Sequence, residues 1–280
     1  PDVHPREQHR KVLVTRARPG APSRQTRLPG GGEPAPGSQV PKEMSVVDQI
    51  STSELETLVA NRGSMYSFLS RVYRQEVDQE LLDGMAAMDL SAEVAVPELA
   101  EGYRMLSDFL AHGVRETTLT DLAVDYARVF LGAGLGGRQA AYPYESYYTS
   151  PQRLIMQDAR DQVLQAYREE GLDRAGDFHE PEDHAALEFE FLAYLCHKAA
   201  EALRGGDVAA AAASLRKQQE FLEQHLAVWL PAFCSDIERV ARTQFYKAVA
   251  MITAGYLALE QGLLGSLVAE AEGASTEASA

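Results

Sequence analysis

From Leu55 onward the apolar residues of this chain recur every three to four positions, a period that dictates helices rather than strands. Leu55, Leu58, Val59, Met65, Tyr66, Leu69, Val72 and Tyr73 line one face of a first helix over 53–75, with Ser53 and Glu56 spaced as a capping box. Further helices are expected over 79–88 behind Asp78, over 97–112 with Pro97 at its start, and over 122–131. Pro151 opens one that reaches Glu170, and Pro181 opens another that ends at Gly205-Gly206. Asp207 caps the next, which runs through an alanine-rich stretch to Trp229. Beyond an interrupting Pro231, short and long helices cover 232–242 and 243–267. No segment alternates as a strand does. The fold class implied is all-α, a single globular bundle of helices.

The 280 residues are 45% apolar, ample for a substantial core. Charge divides the chain. Residues 1–43 hold 8 basic and 4 acidic side chains, 8 of the 13 prolines and 5 of the 21 glycines, which leaves 18 basic and 37 acidic groups, or −19, in residues 44–280. A segment so poor in periodic apolar residues cannot offset its ordering entropy, so 1–43 reads as a disordered basic extension. It is either an addition upstream of a native start at Met44 or a regulatory arm. The folded unit spans 44–267, and the small and acidic residues 268–280 read as a disordered tail. So acidic a body disfavours nucleic acid and anionic membranes and favours a basic partner. No apolar run approaches the roughly 20 residues that span a bilayer. Cys196 and Cys234 lie apart within apolar helical patterns, which suits buried thiols in a reducing cytoplasm.

Two stretches break the bland helical pattern. Residues 132–148, GAGLGGRQAAYPYESYY, form a long connection whose glycines lack the strand before them and the Lys-Ser/Thr after them that a phosphate loop needs. Its second half gathers Tyr142, Tyr144, Tyr147 and Tyr148 around Pro143, large amphipathic rings that fill a cleft or contact a peptide. The second stretch, FHEPEDHAALEFEFLAYLC, sets Glu180, Asp183 and His184 at a helix mouth above an apolar stripe of Leu187, Phe191, Tyr194 and Leu195. Read locally, these carboxylates serve equally as plain capping, and a single histidine one turn in equally as a hydrogen-bonded one.

Taken in order, DYARVFLG, YPYESYY, EPEDHAALEFEFLAYLC, FLEQHLAVWLPAF and TQFYKAVA resemble the TorD/DmsD/NarJ family of redox-enzyme maturation chaperones, TorD/DmsD branch, over about residues 52–265. The resemblance implies an all-helical, cytoplasmic, non-enzymatic protein without cofactor or metal. It implies binding of the twin-arginine leader and apo form of a molybdopterin oxidoreductase catalytic subunit, held until its cofactor is inserted. Carried onto this chain, the leader surface comprises Tyr126, Val129 and Phe130 of the first motif and Pro143, Tyr144, Glu145, Ser146 and Tyr148 of the loop. Glu180, Pro181, Asp183 and His184 complete it. Tyr126 stands where some members have tryptophan, and Val129 replaces the more usual leucine.

The residue chemistry agrees. Guanidinium groups seek carboxylates in a bidentate fork and aromatic faces for stacking, and Asp183, Glu180 and Glu145 supply the first while Tyr126, Tyr144 and Tyr148 supply the second. Phe130 and Val129 shelter the apolar part of the leader, and His184 orients Asp183 or switches charge near neutrality. A metal enzyme is the rival class, with His184 and Glu188 one turn apart, but the paired Glu-x-x-His of a helical di-metal site is missing. Ser146 lacks the Gly-x-Ser-x-Gly turn of a hydrolase. A plain helical scaffold is the other alternative, under which His225, Trp229, Phe233, Phe245 and Tyr246 are packing residues. Monomer and homodimer are both compatible with the sequence.

Overall fold

In the computed structural model, the residues described are 13–15, 51–88, 90, 94–136, 139–174 and 178–278. Helix α1 (Thr52–Arg74) opens on a capping box two residues earlier than the sequence suggests. Ser51 Oγ accepts from the Glu54 amide at 3.3 Å while Glu54 returns a carboxylate to the Ser51 amide at 2.9 Å. Ser53-x-x-Glu56 fits the same pattern, but Glu56 is committed to an ion pair with Arg204 at 2.9 Å. Helices α2 (Gln79–Ala86) and α3 (Pro97–Asp108) follow, the second closing in a π turn over Phe109–Gly113. Then come α4 (Thr118–Leu131), the short α5 (Glu145–Thr149), α6 (Asp158–Glu169) and α7 (Ala185–Arg204). The chain finishes with α8 (Val208–Phe221), a π turn over Leu222–Leu226, α9 (Ala227–Val240) and α10 (Gln244–Ala278).

Two helices carry the core. α7 packs along α1 and α8, burying Leu187, Phe189, Leu192, Leu195 and Cys196. α10 packs against α3, α8 and α9 and buries Phe245, Tyr246, Val249, Ile252 and Leu264. The two layers are clamped by a buried pair: Glu260 of α10 accepts from Arg62 of α1 through Nη2 at 2.6 Å and Nε at 2.9 Å, and from the Tyr66 hydroxyl at 2.6 Å. α10 is in fact long and apolar enough over Gln244–Gly273 to cross a membrane, contrary to the reading above, but over half of its most apolar part is buried, as a core helix should be. Both cysteines are buried and free, and burial pushes the Cys196 thiol up to about 12.

The protein is all-α, with one small exception: Leu13–Thr15 (β1) and Leu172–Arg174 (β2) pair antiparallel over three residues. The rest of the segment expected to be disordered, 1–12 and 16–43, lies outside the described residues. Three prolines behave differently from expectation. Pro151 sits in a turn and α6 begins only at Asp158. Pro181 also precedes its helix, because His184 takes the N-cap position and α7 starts at Ala185. Pro231 lies inside α9 without ending it. The π turn stops immediately before Ala227, whose carbonyl is the one that a proline at 231 deprives of its usual donor. Helix continues through Ala278 where composition suggests a tail from 268, and Val268 and Ala271 are buried.

Candidate functional site

The tyrosine-rich connection and the Glu180–His184 turn are far apart in sequence and meet edge to edge. Tyr144 and His184 form an antiparallel bridge, flanked by Glu145 N–H to Asp183 O at 3.0 Å and Ala185 N–H to Pro143 O at 2.9 Å. Asp183 then reaches across to the first turn of α5, accepting from the Ser146 amide at 2.8 Å. Tyr144, the residue before that helix, offers no side-chain cap, so a carboxylate from another segment satisfies the turn instead. His184 caps α7: its Nδ1 accepts from the Ala186 amide at 3.0 Å, which assigns the ring proton to Nε2.

His184 is not a switch near neutrality. Its ring is fully enclosed, between the edges of Tyr144 and Phe178 at 5.2 Å each. Burial, and secondly the Arg74 cation, push its pKa down to about 3. Arg74 itself pairs with Glu190 at 2.5 Å and lies 5.7 Å from the Phe178 ring. Nor does His184 orient Asp183 through its Nδ1, which is spent on the cap.

Three carboxyl groups lie deep beneath the bridge. Glu145 is 2% exposed, and Asp183 and Glu188 are not exposed at all. His225 Nδ1 lies 3.0 Å from Glu145 Oε2, and Trp229 Nε1–H donates to Glu188 Oε2 at 3.1 Å. Burial raises the Asp183 pKa against the pull of its hydrogen bond from the Ser146 amide. Glu188 is held well above the ordinary carboxyl range by burial and then by the negative charges of Glu145 and Asp183. No protein donor reaches Asp183 Oδ1 or Glu188 Oε1, and Ser146 Oγ is without a partner. Asp183 and Glu145 therefore do not face solvent as direct partners for an incoming guanidinium, the place the sequence argument gives them. Their geometry makes them braces.

The rim is built from half-buried groups. Tyr144 donates to Glu180 Oε2 at 2.6 Å, and burial followed by that carboxylate raises the phenol pKa. The Glu180 carbonyl accepts from Arg174 at 2.9 Å. Tyr148 lies on Trp229 with ring centres 5.6 Å apart and donates to Asp236 at 3.2 Å. Neighbouring Glu182 is taken by Arg160 at 2.6 Å. Pro181 is half-buried beside them. Tyr126, Val129 and Phe130 stand behind this rim in the core: Tyr126 donates to the Tyr73 carbonyl at 3.1 Å, Val129 is wholly buried, and Phe130 packs on Tyr73, Tyr126, Phe233 and Tyr246. Val129 and Phe130 do not present a surface to shelter an apolar peptide. Their spacing on one apolar face of α4 already carried that signal.

His225 and Trp229 are buried, as expected of packing residues, yet they also hold the deep carboxylates, a role sequence reasoning missed along with Glu188 and Phe178. Their separation of four was the available clue, since it sets both on one helix face. Among the described residues no group of histidine, cysteine, aspartate and glutamate is disposed to hold a metal ion.

Residues 96–235, which contain the Tyr144–His184 bridge and the deep carboxylates with His225 and Trp229, match the family described as nitrate reductase delta subunit. The chain is also 28% identical over 230 residues to the chaperone protein TorD of Vibrio cholerae, covering 78% of this chain and 98% of that one. The chain belongs to the TorD/DmsD/NarJ family. Identity to the TorD of Shewanella loihica is 28% over 216 residues, 73% of this chain and 93% of the relative, and to that of Shigella boydii 26% over 204 residues, 71% and 94%. Membership of the TorD/DmsD/NarJ family makes this a redox-enzyme maturation chaperone rather than an enzyme.

Proposed function

We propose that this chaperone binds the twin-arginine leader and apo form of a molybdopterin oxidoreductase catalytic subunit in the cytoplasm, and holds it until its cofactor is inserted and export can follow. The observation that carries the reading is the bridge between Tyr144 and His184, which sets a carboxylate, Glu180, beside a tyrosine ring at a half-buried rim. A leader guanidinium displaces the Tyr144 hydroxyl from Glu180, takes that carboxylate as a bidentate partner and stacks on Tyr144, Phe178 or Tyr148. Pro143, Glu145, Ser146, Pro181, Asp183 and His184 hold the two segments together, and Tyr126, Val129 and Phe130 form the floor. The functional unit is one helical domain from about residue 44 to the end of α10.

The test is capture of partners from anaerobically grown source cells, with identification by mass spectrometry, using the wild type, Glu180→Lys and the Asp183→Ala/His184→Ala double variant. Recovery of an oxidoreductase precursor with an uncleaved twin-arginine leader, lost with Glu180→Lys and with the double variant, is the expected result. Equal recovery with Glu180→Lys removes the rim carboxylate from the reading. No precursor under any respiratory condition leaves a helical interaction domain without leader binding.

A further inference from the structure

The deepest ionisable group of the site belongs to neither half of the bridge. Glu188 lies in the first turn of α7, wholly buried, and meets two of the elements that support the rim. Its Oε2 accepts from Trp229 Nε1–H of α9 at 3.1 Å. Its carboxyl group also meets that of Glu145 of α5, which His225 of the π turn holds at 3.0 Å. The charge of Asp183, in the turn before α7, bears on it as well, and Tyr167 of α6 donates to the neighbouring Glu182 carbonyl at 3.1 Å. Two touching carboxyl groups cut off from water do not both ionise; one keeps a proton and donates it to the other. Glu188, with an indole donor on one oxygen and no protein donor on the second, is the one placed to keep it.

We propose that Glu188 is a positioning residue for leader binding: it donates to Glu145 and accepts from Trp229, ties α5, α7 and α9 together beneath the Tyr144–His184 bridge, and so fixes where Tyr144 and Glu180 stand at the rim. This rests on the leader reading above. A neutral acid differs little in shape and hydrogen bonding from a primary amide, whereas an alanine leaves the Trp229 indole without a partner and the Glu145 carboxylate with His225 alone.

The experiment compares wild type, Glu188→Gln and Glu188→Ala in the full chain, with Glu188→Met carrying the comparison if the alanine variant does not fold. Affinity for a labelled twin-arginine leader peptide is one readout. The indole N–H resonance of Trp229, the single tryptophan of the chain, and hydrogen exchange at the amides of Glu145, Ser146 and Ala185 are readouts independent of any leader. Glu188→Gln is expected to keep leader affinity within about twofold and to keep the slow amides. Glu188→Ala is expected to lose about tenfold in affinity, the scale of one broken buried hydrogen bond, to move the indole resonance and to speed exchange at all three amides. Unchanged exchange in folded Glu188→Ala overturns the proposal, as does a glutamine variant that loses as much as the alanine. If wild type binds no leader peptide, the leader reading fails by itself, and the exchange and indole data still decide whether Glu188 sets the bridge.

Discussion

His184 costs the folded state nothing at neutral pH and a good deal in acid. Its pKa falls from an ordinary 6.5 to about 3 on folding, so the unfolded chain takes up a proton that the folded chain refuses. The stability linked to this group is complete above pH 6.5 and drains away as pH falls toward 3. Glu188 works in the opposite sense. Its folded pKa is raised, so its contribution is present below about 4.5, the ordinary value, and is lost as pH rises. Between pH 6.5 and 5 the two groups oppose each other: as pH falls the histidine removes stability and Glu188 restores it. Thermal unfolding followed by circular dichroism isolates the histidine: from pH 6.5 to 5 the melting temperature of wild type should fall relative to that of His184→Asn, which keeps a cap acceptor but cannot charge. A variant as steep as wild type would place the acid sensitivity elsewhere. The sequence showed His184 beside Asp183 but not the rings of Tyr144 and Phe178 that enclose it, and enclosure is what removes it from neutral pH.

At the level of elements, the crossing of α3 and α10 depends on two glycines. A Cβ on Gly255 would stand 2.4 Å from the Leu99 amide nitrogen and 2.7 Å from its Cα, and one on Gly102 would stand 2.7 Å from Ile252 Cγ1. Backbone against backbone cannot give way as a flexible side chain can, so Gly255→Ala must push the helices apart, at a cost of about 1–3 kcal/mol. Gly262, two turns further along the same helix, has open space around it, and Gly262→Ala should instead stabilise by roughly 0.5–1 kcal/mol. Denaturant unfolding of the two variants checks both signs at once. Helix existence was largely legible from apolar period alone, because each buried face is a local pattern. Helix starts at Pro151 and Pro181 were not, because proline is equally at home in the turn ahead of a helix, and only tertiary hydrogen bonds, such as Ala185 N–H to Pro143 O, decide which. α10 was read short for the same reason: the burial of Val268 and Ala271 depends on neighbours distant in sequence.

For the whole molecule, 18 basic against 37 acidic side chains over residues 44–280 set up a long-range field that favours a basic leader. Binding of a twin-arginine peptide should weaken steeply as salt rises from about 0.1 M to about 1 M, where the screening length falls from about 10 Å to about 3 Å. Titration of a labelled peptide at several salt concentrations measures it, and a flat response would assign the affinity to ring stacking instead. The motifs of the site could be read in order along the chain, and their meeting could be expected. Which members face outward could not. Glu145 and Asp183 look like ligands by residue type and become braces only when α5 is folded against α7 and α9. The reach of α10 has one more consequence. Its 35 residues, roughly 50 Å of helix, close the apolar faces of α3, α8 and α9, and its Glu260 is the sole carboxylate bonded to Arg62 among the described hydrogen bonds. All of that is supplied by a segment that leaves the ribosome after every helix it covers. Until it emerges, the nascent chain carries an open core and an unneutralised arginine, so this chaperone passes through its own synthesis in need of the protection it gives to others.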